Sequence, residues 1–488
     1  MKIAFLASEC EPFAKSGGLA DVVGSLSKAL GELGHEVVVV LPFYRSIRDG
    51  GFEVSSYFDS MCVKMGNGIE EWCSVKKARL SEFVDAFFIE SNKYFDRDGL
   101  YCDRSNNDFG DNAYRFAFFC RAALQLLKDM DFHADIVHCH DWQTSAVCAF
   151  LKIWDWRGTP LSNAKSVLTI HNIGYQGIYG SGVLGYCGFP WNFYVSDIFE
   201  DFGRINLLKG GIFFADFVTT VSPKYAEETL NSDLGCGLND FLRRKGESYV
   251  GILNGIDPTL WNPAKDTLLP ANFSMRKLDG KALCKSELQK RFALDVNENI
   301  PIVGVVSRFA TQKGLDVLAN SIERIVTAMQ VQFAVMGSGE PALERHFQYL
   351  RDEYPGVVGD YIGFNNEIAH LVEAGSDFFI MPSRYEPCGL NQIYSLRYGT
   401  LPIVRNTGGL ADTVDQYDEK SGKGTGFKFD YLSEEAIFDT VGWAVSTYFD
   451  RPEQLLTMRR RAMRRDFSWK SSAAEYEKIY RQAAQGEN

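Results

Sequence analysis

The chain has 488 residues, more than one hydrophobic core usually organises, and this length predicts two or three domains. Hydrophobic residues make up 45% and charged residues 23%, which is typical of globular enzymes and excludes a disordered or membrane-embedded chain. The formal net charge of −12 argues against a nucleic-acid partner, because a phosphate backbone calls for a basic surface. A single anionic ligand is compatible with this charge, since a few local cations can bind it.

The first residues, KIAFLASEC, begin apolar, but Ser8, Glu9 and Cys10 interrupt the run before a signal-peptide core is complete. No stretch approaches the ~18 apolar residues of a membrane span. The 11 cysteines are scattered and form no C-x-x-C pair, which favours reduced thiols over a disulfide framework or a zinc site. These features predict a cytoplasmic protein without a membrane partner.

Short apolar runs alternate with helix-like periodicity along the first half of the chain. The runs are KIAFLA at 2–7, EVVVVLP at 36–42, VDAFFIE at 84–90, ADIVHCH at 134–140, SVLTIHN at 166–172, FVTTVSP at 217–223 and YVGILNGID at 249–257. Continuous runs of this kind are typical of parallel strands buried on both faces. The polar, proline-spaced stretch 258–274 then lacks periodicity, and we expect a hinge there.

A second series of apolar runs follows this stretch. It consists of PIVGVVSR at 301–308, VQFAVMG at 331–337, SDFFIMPS at 376–383 and TLPIVRN at 400–406. Two such series predict an α/β fold with two doubly wound, Rossmann-like domains. Ligands of parallel sheets bind at the carboxyl ends of the strands, so we expect the two domains to share a cleft.

A glycine turn occurs in both halves of the chain. KSGGLADVV follows the first predicted strand, and TGGLADTV begins at Thr407. Gly17 and Gly18 would let the backbone approach a ligand, the helix start offers N–H groups, and Lys15 adds a cation. The loop suits a phosphate, but it matches neither a P-loop nor G-x-G-x-x-G, and a plain strand-to-helix turn explains it equally well.

Two charged motifs follow strands of the second series. RFATQKG brings Arg308 and Lys313 to the end of a strand, where they either bind an anion or form a solvated loop. SRYEPCGLNQ places Glu386 just before a bend at Gly389. A carboxylate at this position either accepts hydrogen bonds from sugar hydroxyls or only caps the following helix.

Histidines and an aspartate lie on or directly after the middle strands of the first series. VHCHDW puts His138 and His140 on one face of a strand with Asp141 at its end, and HNIGYQG begins at His171. The spacing matches no zinc template, so no metal site is predicted. We interpret Asp141 and His171 as polar groups lining a cleft, and hydrogen-bonded core histidines are the simpler interpretation of the other two. The segment 107–119 is either a substrate-facing loop or a surface connection followed by a buried helix.

Taken in order, these motifs resemble the ADP-glucose-dependent glycogen and starch synthases of bacteria and plastids. The resemblance covers nearly the whole chain and rests on KIAFLASECEPFAKSGGLADVVGSL, GDNAYRF, VHCHDW, HNIGYQG, INLLKGG, TTVSPKYA, GILNGID, RFATQKG, EPCGLNQ and TGGLADTV. It implies a GT-B glycosyltransferase architecture, in which two Rossmann-like domains face each other across a cleft. The implied domains are 1–250 on the acceptor side, joined by a C-terminal helix at 468–488, and 251–467 on the nucleotide-sugar side.

The resemblance also implies an activity. This is retaining transfer of glucose from ADP-glucose to the nonreducing 4-OH of an α-1,4-glucan, in the cytoplasm or on glucan granules, without a metal or cofactor. Lys15, Arg308 and Lys313 would bind the diphosphate and stabilise charge on the departing ADP, and Gly17 and Gly18 would let the donor approach closely.

The same resemblance assigns the sugar and adenine contacts. Glu386 would hold the donor glucose, with Asp141 and His171 beside it. Phe364 would stack on adenine. The remaining implied contacts come from the backbone of Cys388, Gly389, Leu390, Thr407 and Gly408.

Three positions depart from the family pattern. Ser16 replaces a threonine, Phe364 a tyrosine and Asn391 another threonine, so the nucleotide preference is open while catalysis is still expected. The alternatives are a transferase that uses UDP-glucose or makes a small glucoside, a pyridoxal-dependent glucan phosphorylase, and a catalytically silent glucan-binding protein. Retention of Lys15 and Glu386 argues against the last of these.

Overall fold

A computed structural model describes residues 1–105 and 107–486. The chain divides into two compact units. The N-terminal unit comprises Met1–Gly255 and Trp469–Asn488, and the C-terminal unit comprises Ile256–Ser468. Residues 487 and 488, the end of the segment predicted at 468–488, lie outside the described residues.

The N-terminal unit alternates strands and helices. Its strands are β1 (Lys2–Leu6), β2 (Glu36–Pro42), β3 (Ser55–Lys64), β4 (Glu70–Ser81), β5 (Val84–Glu90), β6 (Ile136–His140), β7 (Lys165–Ile170), β8 (Ile178–Tyr179), β9 (Glu200–Asp201), β10 (Arg204–Asn206), β11 (Phe217–Thr220) and β12 (Tyr249–Gly251). Its helices before residue 255 are α1 (Gly18–Glu32), α2 (Arg45–Asp49), α3 (Asn92–Phe95), α4 (Asn112–Asp129), α5 (Asp141–Ile153), α6 (Gly182–Cys187), α7 (Leu207–Phe214), α8 (Pro223–Asn231) and α9 (Asn239–Arg243). Short 3-10 helices lie at Gly66–Gly68, Trp191–Phe193, Asp233–Gly235 and Gly246–Ser248.

The main sheet of this unit has the strand order β12-β11-β7-β6-β1-β2-β5-β4-β3. Strands from β12 to β5 pair in parallel, whereas β4 and β3 join antiparallel at one edge. Residues Ile3 to Leu6 of β1 are 0% exposed, because helices cover both faces of a parallel sheet. Every apolar run predicted in this half forms a strand, but the sequence did not predict β3, β4 or the small sheet β8-β10-β9.

The C-terminal unit is a second parallel sheet. Its strands are β13 (Ile302–Phe309), β14 (Gln332–Gly339), β15 (Val358–Ile362), β16 (Phe378–Met381), β17 (Leu401–Arg405) and β18 (Phe427–Phe429). Its helices are α10 (Asp279–Arg291), α11 (Leu315–Ala328), α12 (Pro341–Glu353), α13 (Asn366–Gly375), α14 (Asn391–Arg397), α15 (Gly408–Thr413), α16 (Glu434–Asp450) and α17 (Pro452–Met463), with a 3-10 helix at Thr311–Lys313. The strand order β15-β14-β13-β16-β17-β18 is that of a Rossmann fold, and apolar clusters cover both faces. The prediction of two Rossmann-like domains is confirmed.

The stretch 258–274, predicted as a hinge, is anchored within the C-terminal unit. The ring of Trp261 lies between His370, at 3.9 Å, and Tyr394, at 3.7 Å, and is stacked on both. Asp266 is buried, and its Oδ2 lies 2.7 Å from Nδ1 of His370. Irregular backbone is therefore held in place by stacked rings and a buried carboxylate.

The last described helix, α18 (Trp469–Gln485), packs against α1, β6 and β7 of the N-terminal unit. Its residues Tyr476 and Tyr480 are 0% exposed. Ser472 Oγ donates a hydrogen bond of 2.7 Å to the carbonyl of Leu253. Within the described ranges, no helix combines the length and apolar character needed to cross a bilayer.

Candidate active site

The site residues predicted in the N-terminal unit follow the carboxyl ends of neighbouring strands. Lys15 follows β1, Asp141 follows β6 and His171 follows β7. The direction of winding reverses between β1 and β6, and such a switch point is where parallel sheets open a crevice for ligands. The topology therefore gathers these residues at the edge of the sheet where a ligand is expected.

The carboxylate of Glu9 organises the glycine loop. Glu9 is 4% exposed, and its Oε2 accepts hydrogen bonds from the N–H of Ser16 and, at 3.2 Å, from that of Gly17. Its Oε1 accepts from Ser16 Oγ at 2.7 Å and from the hydroxyl of Tyr101 at 2.6 Å. Sequence reasoning missed this role, although a carboxylate directly after a buried strand and before a glycine turn was a signal for it.

The GDNAYRF motif supports Tyr101 from inside the unit. Asn112 Nδ2 donates to the carbonyl of Tyr101 at 2.8 Å. Arg115 is 0% exposed and donates to the carbonyl of Leu100 at 3.1 Å and to Asn112 Oδ1 at 2.5 Å. Asn112 and Arg115 are thus buried supports, as in the second of the two interpretations of 107–119.

Lys15 is exposed and loosely held. Its Nζ lies 2.6 Å from Asp21 Oδ1 and 3.9 Å from Glu11 Oε2, with 46% of its side chain exposed. Exposed ion pairs of this kind contribute only about 0–1 kcal/mol. Lys15 can therefore leave Asp21 for a phosphate at little cost.

The first glycine pair faces open space. A Cβ atom added at Gly17 or Gly18 would meet no protein atom within 4 Å. Packing within the chain does not require glycine at these positions, and Gly18 begins α1. The open space leaves room for a ligand against the backbone.

Asp141 and His171 contact each other at the ends of β6 and β7. Asp141 Oδ1 accepts the backbone N–H of His171 at 2.7 Å, and Asp141 has a left-handed backbone with φ 56°. Such a conformation at a non-glycine residue is strained and clusters at functional sites. Burial raises the pKa of Asp141 to about 7 and lowers the pKa of His171 to about 3. His171 is therefore neutral at physiological pH.

His138 and His140 are hydrogen-bonded core residues, each 0% exposed. His138 Nε2 lies 2.6 Å from Thr169 Oγ1, and its Nδ1 lies 2.7 Å from the hydroxyl of Tyr480. His140 Nδ1 lies 3.0 Å from His171 Nε2. Among the described residues, no group of three or more His, Cys, Asp or Glu side chains is arranged to hold a metal ion.

The charged motifs of the C-terminal unit meet at its own switch point, between β13 and β16. Lys313 follows β13, and its Nζ lies 2.6 Å from Oε2 of Glu386, which follows β16. Ser383 Oγ donates to the same carboxylate oxygen at 2.9 Å. The side chain of Glu386 is 6% exposed and that of Lys313 19%, so the pair is largely shielded from water.

Arg308 and Phe364 present a cation and an aromatic ring to solvent. Arg308 lies near the end of β13 and is exposed, and within the described part of the chain its guanidinium has no hydrogen bond or ion pair. Phe364 follows β15, and 76% of it is exposed. An exposed aromatic ring offers a stacking surface, and an unpaired guanidinium offers a fork of donors for a phosphate.

The second glycine pair packs against the EPCGLNQ backbone. Gly408 has φ 43°, and a Cβ there would lie 1.9 Å from the carbonyl oxygen of Glu386. A Cβ at Gly409 would lie 2.1 Å from the carbonyl oxygen of Cys388. The two GGLAD turns both begin helices, but the space beside their glycines differs. Backbone atoms of the protein occupy this space at the second turn and leave it open at the first.

The other predicted backbone positions lie beside these contacts. Cys388 is buried, and Gly389, with φ 71°, and Leu390 lead into α14. Thr407 is buried and directly precedes α15.

Comparisons with known proteins identify the family of this chain. A model of the starch synthase catalytic domain matches residues 2–244, and a model of glycosyl transferases group 1 matches residues 286–459. Glycogen synthase 1 of Geobacter sulfurreducens is 45% identical over 482 residues, which cover 98% of this chain and 96% of that protein. The chain belongs to the glycogen and starch synthase family.

Other members of this family are similar along their whole length. The glycogen synthase of Treponema denticola is 43% identical over 489 residues, covering 99% of this chain and 98% of that protein. The catalytic domain of starch synthase IV from Arabidopsis thaliana, solved with ADP and acarbose bound, has a TM-score of 0.90 at 34% identity and covers 99% of each chain. The resemblance seen in the sequence and the GT-B architecture are thereby confirmed, and the chain is a glycosyltransferase.

Proposed function

We propose that this chain elongates an α-1,4-glucan by retaining transfer of glucose from ADP-glucose to the nonreducing 4-OH. The observation that carries the proposal is the full-length similarity to starch synthase IV, which binds ADP and acarbose. ADP is the leaving group of ADP-glucose, and acarbose is an oligosaccharide analogue. The partners would thus be a nucleotide sugar and a glucan, and we propose that the reaction needs no metal or cofactor.

The cations at the strand ends suit the diphosphate. Lys15, Arg308 and Lys313 would neutralise the negative charge that grows on the departing ADP, which is how preorganised electrostatics lower a barrier. Arg308 is unpaired among the described residues, and Lys15 is only weakly paired. The open space beside Gly17 and Gly18 supports close approach of the donor to the backbone.

The buried polar groups suit the glucose. Glu386 would accept hydrogen bonds from sugar hydroxyls while its ion pair with Lys313 holds the carboxylate in place. His171 is neutral and can hydrogen-bond a sugar oxygen without adding charge. Asp141, when ionised, would stabilise the positive charge that develops at the anomeric carbon.

The remaining contacts would fix the nucleotide and its sugar. Phe364 is exposed and would stack on adenine. We assign the rest to the backbone of Cys388, Gly389, Leu390, Thr407 and Gly408. We further propose that 1–250 with 468–488 serves the acceptor, that 251–467 serves the nucleotide sugar, and that the protein works in the cytoplasm.

Donor competition tests the proposal. The purified chain is given glycogen with ADP-glucose or UDP-glucose, and labelled glucan and released nucleotide are followed. We expect transfer chiefly from ADP-glucose, and a KM for this donor that is at least about tenfold higher in Lys15→Ala and Arg308→Ala. Lys128→Ala, an exposed lysine on α4, is the matched control.

Three other outcomes would overturn the proposal. Transfer chiefly from UDP-glucose would show that UDP-glucose, and not ADP-glucose, is the donor. Release of glucose 1-phosphate from glycogen and phosphate would indicate a phosphorylase. Binding of glycogen without consumption of either donor would indicate a silent glucan-binding protein.

A further inference from the structure

A buried imidazole lies directly behind His171. His140 is the last residue of β6 and is 0% exposed. Its ring is stacked on Phe5, with centroids 5.4 Å apart, and lies 4.2 Å from the ring of His138. Its Nδ1 lies 3.0 Å from His171 Nε2, and this bond is its link to the candidate active site.

The surroundings of His140 select one of its two neutral forms. Its Nε2 is buried and has no hydrogen-bond partner among the described residues. An N–H group orphaned in this way is rare in proteins, because it loses its bonds to water and gains none. Burial also lowers the pKa of His140 well below the usual range, so the ring carries a single proton. That proton therefore resides on Nδ1.

The tautomer of His140 determines the tautomer of His171. Since Nδ1–H of His140 donates to His171 Nε2, this nitrogen of His171 must be the acceptor. His171 is neutral, so its own proton lies on Nδ1, which has no hydrogen-bond partner among the described residues. We infer that His140 is a positioning residue that holds His171 in the Nδ1–H tautomer, ready to donate a hydrogen bond to a sugar oxygen.

His138 and the C-terminal helix hold His140 in turn. Both ring nitrogens of His138 are bonded, to Thr169 Oγ1 at 2.6 Å and to the hydroxyl of Tyr480 at 2.7 Å. These two bonds fix the ring of His138, which packs against the ring of His140. Tyr480 belongs to α18, so the C-terminal helix supports the orientation of His171 through two rings.

The tautomer can be observed without any turnover. The chain has only seven histidines, so nitrogen-15 NMR of histidine-labelled protein is tractable, with His171→Gln assigning the resonance. We expect His171 to be neutral and protonated on Nδ1, both alone and with ADP bound. A pattern showing the proton on Nε2 of His171 would overturn the inference.

A pair of substitutions tests the positioning role. His140→Asn retains an N–H at about the place of Nδ1, whereas His140→Gln extends its amide toward the place of Nε2. Because one hydrogen bond to His171 is at stake, we expect kcat with ADP-glucose to be about tenfold higher in the Asn variant than in the Gln variant. The KM for glycogen should be unchanged in both, and thermal unfolding checks that both fold.

The contact between His171 and a sugar oxygen rests on the proposed function. The experiments distinguish failure of this inference from failure of the proposed function. Equal loss of kcat in both variants, with equal loss of stability, would reduce His140 to a core residue and contradict the inference. Absence of glucose transfer by the unmodified chain would instead contradict the proposed function, and the NMR result on His171 would still decide its tautomer.

Discussion

Lys313 Nζ lies 2.6 Å from Glu386 Oε2, so one ion pair joins the loop after β13 to the loop after β16. The two residues come from motifs 73 positions apart, and the strand order of the C-terminal unit makes them neighbours. The ion pair orients the carboxylate of Glu386 and offsets part of the positive charge of Lys313. If Lys313 binds the diphosphate and Glu386 the sugar, as proposed, the diphosphate would share Lys313 with Glu386. Binding of the phosphates would then be coupled to the position of this carboxylate.

Breaking this pair on one side should cost stability as well as activity. We expect Glu386→Gln to lower kcat at least about 100-fold and to destabilise the fold by about 1–3 kcal/mol, less than the 3–5 kcal/mol of a fully buried pair because Lys313 keeps some exposure. Urea unfolding and initial rates measure the two effects. The double variant Lys313→Met, Glu386→Gln should be no less stable than Glu386→Gln alone, and strict additivity would contradict the coupling.

Much of the fold was predictable because buried parallel strands leave a clear sequence signal. The runs at β1, β2, β5, β6 and β7 are continuous and apolar, as strands covered by helices on both faces must be. The strands β3 and β4 escaped prediction because they join the edge, where exposed and buried residues mix without a clean alternation. The anchoring of the stretch 258–274, where we expected a hinge, could not be predicted, because stacking on Trp261 depends on residues more than 100 positions away.

The two glycine turns give a matched pair of substitutions. Gly18→Ala adds a methyl group into open space, so the free energy of unfolding should stay within about 1 kcal/mol of the unmodified chain. Gly409→Ala places a Cβ 2.1 Å from the carbonyl oxygen of Cys388 and should destabilise by about 2–3 kcal/mol. If the donor approaches the first turn, Gly18→Ala will raise the KM for ADP-glucose despite its normal stability. Equal stability of the two variants would contradict this distinction.

The hydroxyl of Tyr101 should matter for donor binding. Tyr101→Phe removes the 2.6 Å bond to Glu9 and loosens the carboxylate that fixes Ser16 and Gly17. We expect the KM for ADP-glucose to rise about three- to tenfold with a smaller change in kcat, the cost of about one hydrogen bond. Tyr94→Phe is the control. It also removes a tyrosine hydroxyl that donates to a carboxylate, in this case the carboxylate of Glu71. A similar rise in the control would assign the effect to general loosening.

The raised pKa of Asp141 predicts a dependence of stability on pH. Its pKa rises from an ordinary 3.8 to about 7 through burial, so the folded chain binds this proton more tightly than the unfolded chain. The resulting stabilisation is fully present below about pH 4 and is lost as the pH rises through 7. Asp141→Asn keeps an acceptor for the N–H of His171 but does not titrate. From pH 5 to pH 8, urea midpoints of the unmodified chain should therefore fall relative to the variant, and parallel curves would contradict the assignment.

Lys15, Lys313 and Glu386 could be proposed as site residues from the sequence because each is a charge one to three positions from a glycine in its motif, and their roles stay predictions. Their partners were not predictable, because pairing depends on strand order and on side chains far apart in sequence. Glu9 and Tyr101 are 92 positions apart and meet only in the folded unit. The bond between His138 and Tyr480 spans 342 positions, so no local pattern could indicate it.

Incorporation of labelled glucose from ADP-glucose into glycogen tests the central claim most directly. The purified chain should extend the nonreducing ends of the glucan and release one ADP for each glucose added, and Glu386→Gln should be nearly inactive while still folded. ADP release without extension of the glucan, or full activity of the variant, would contradict the account.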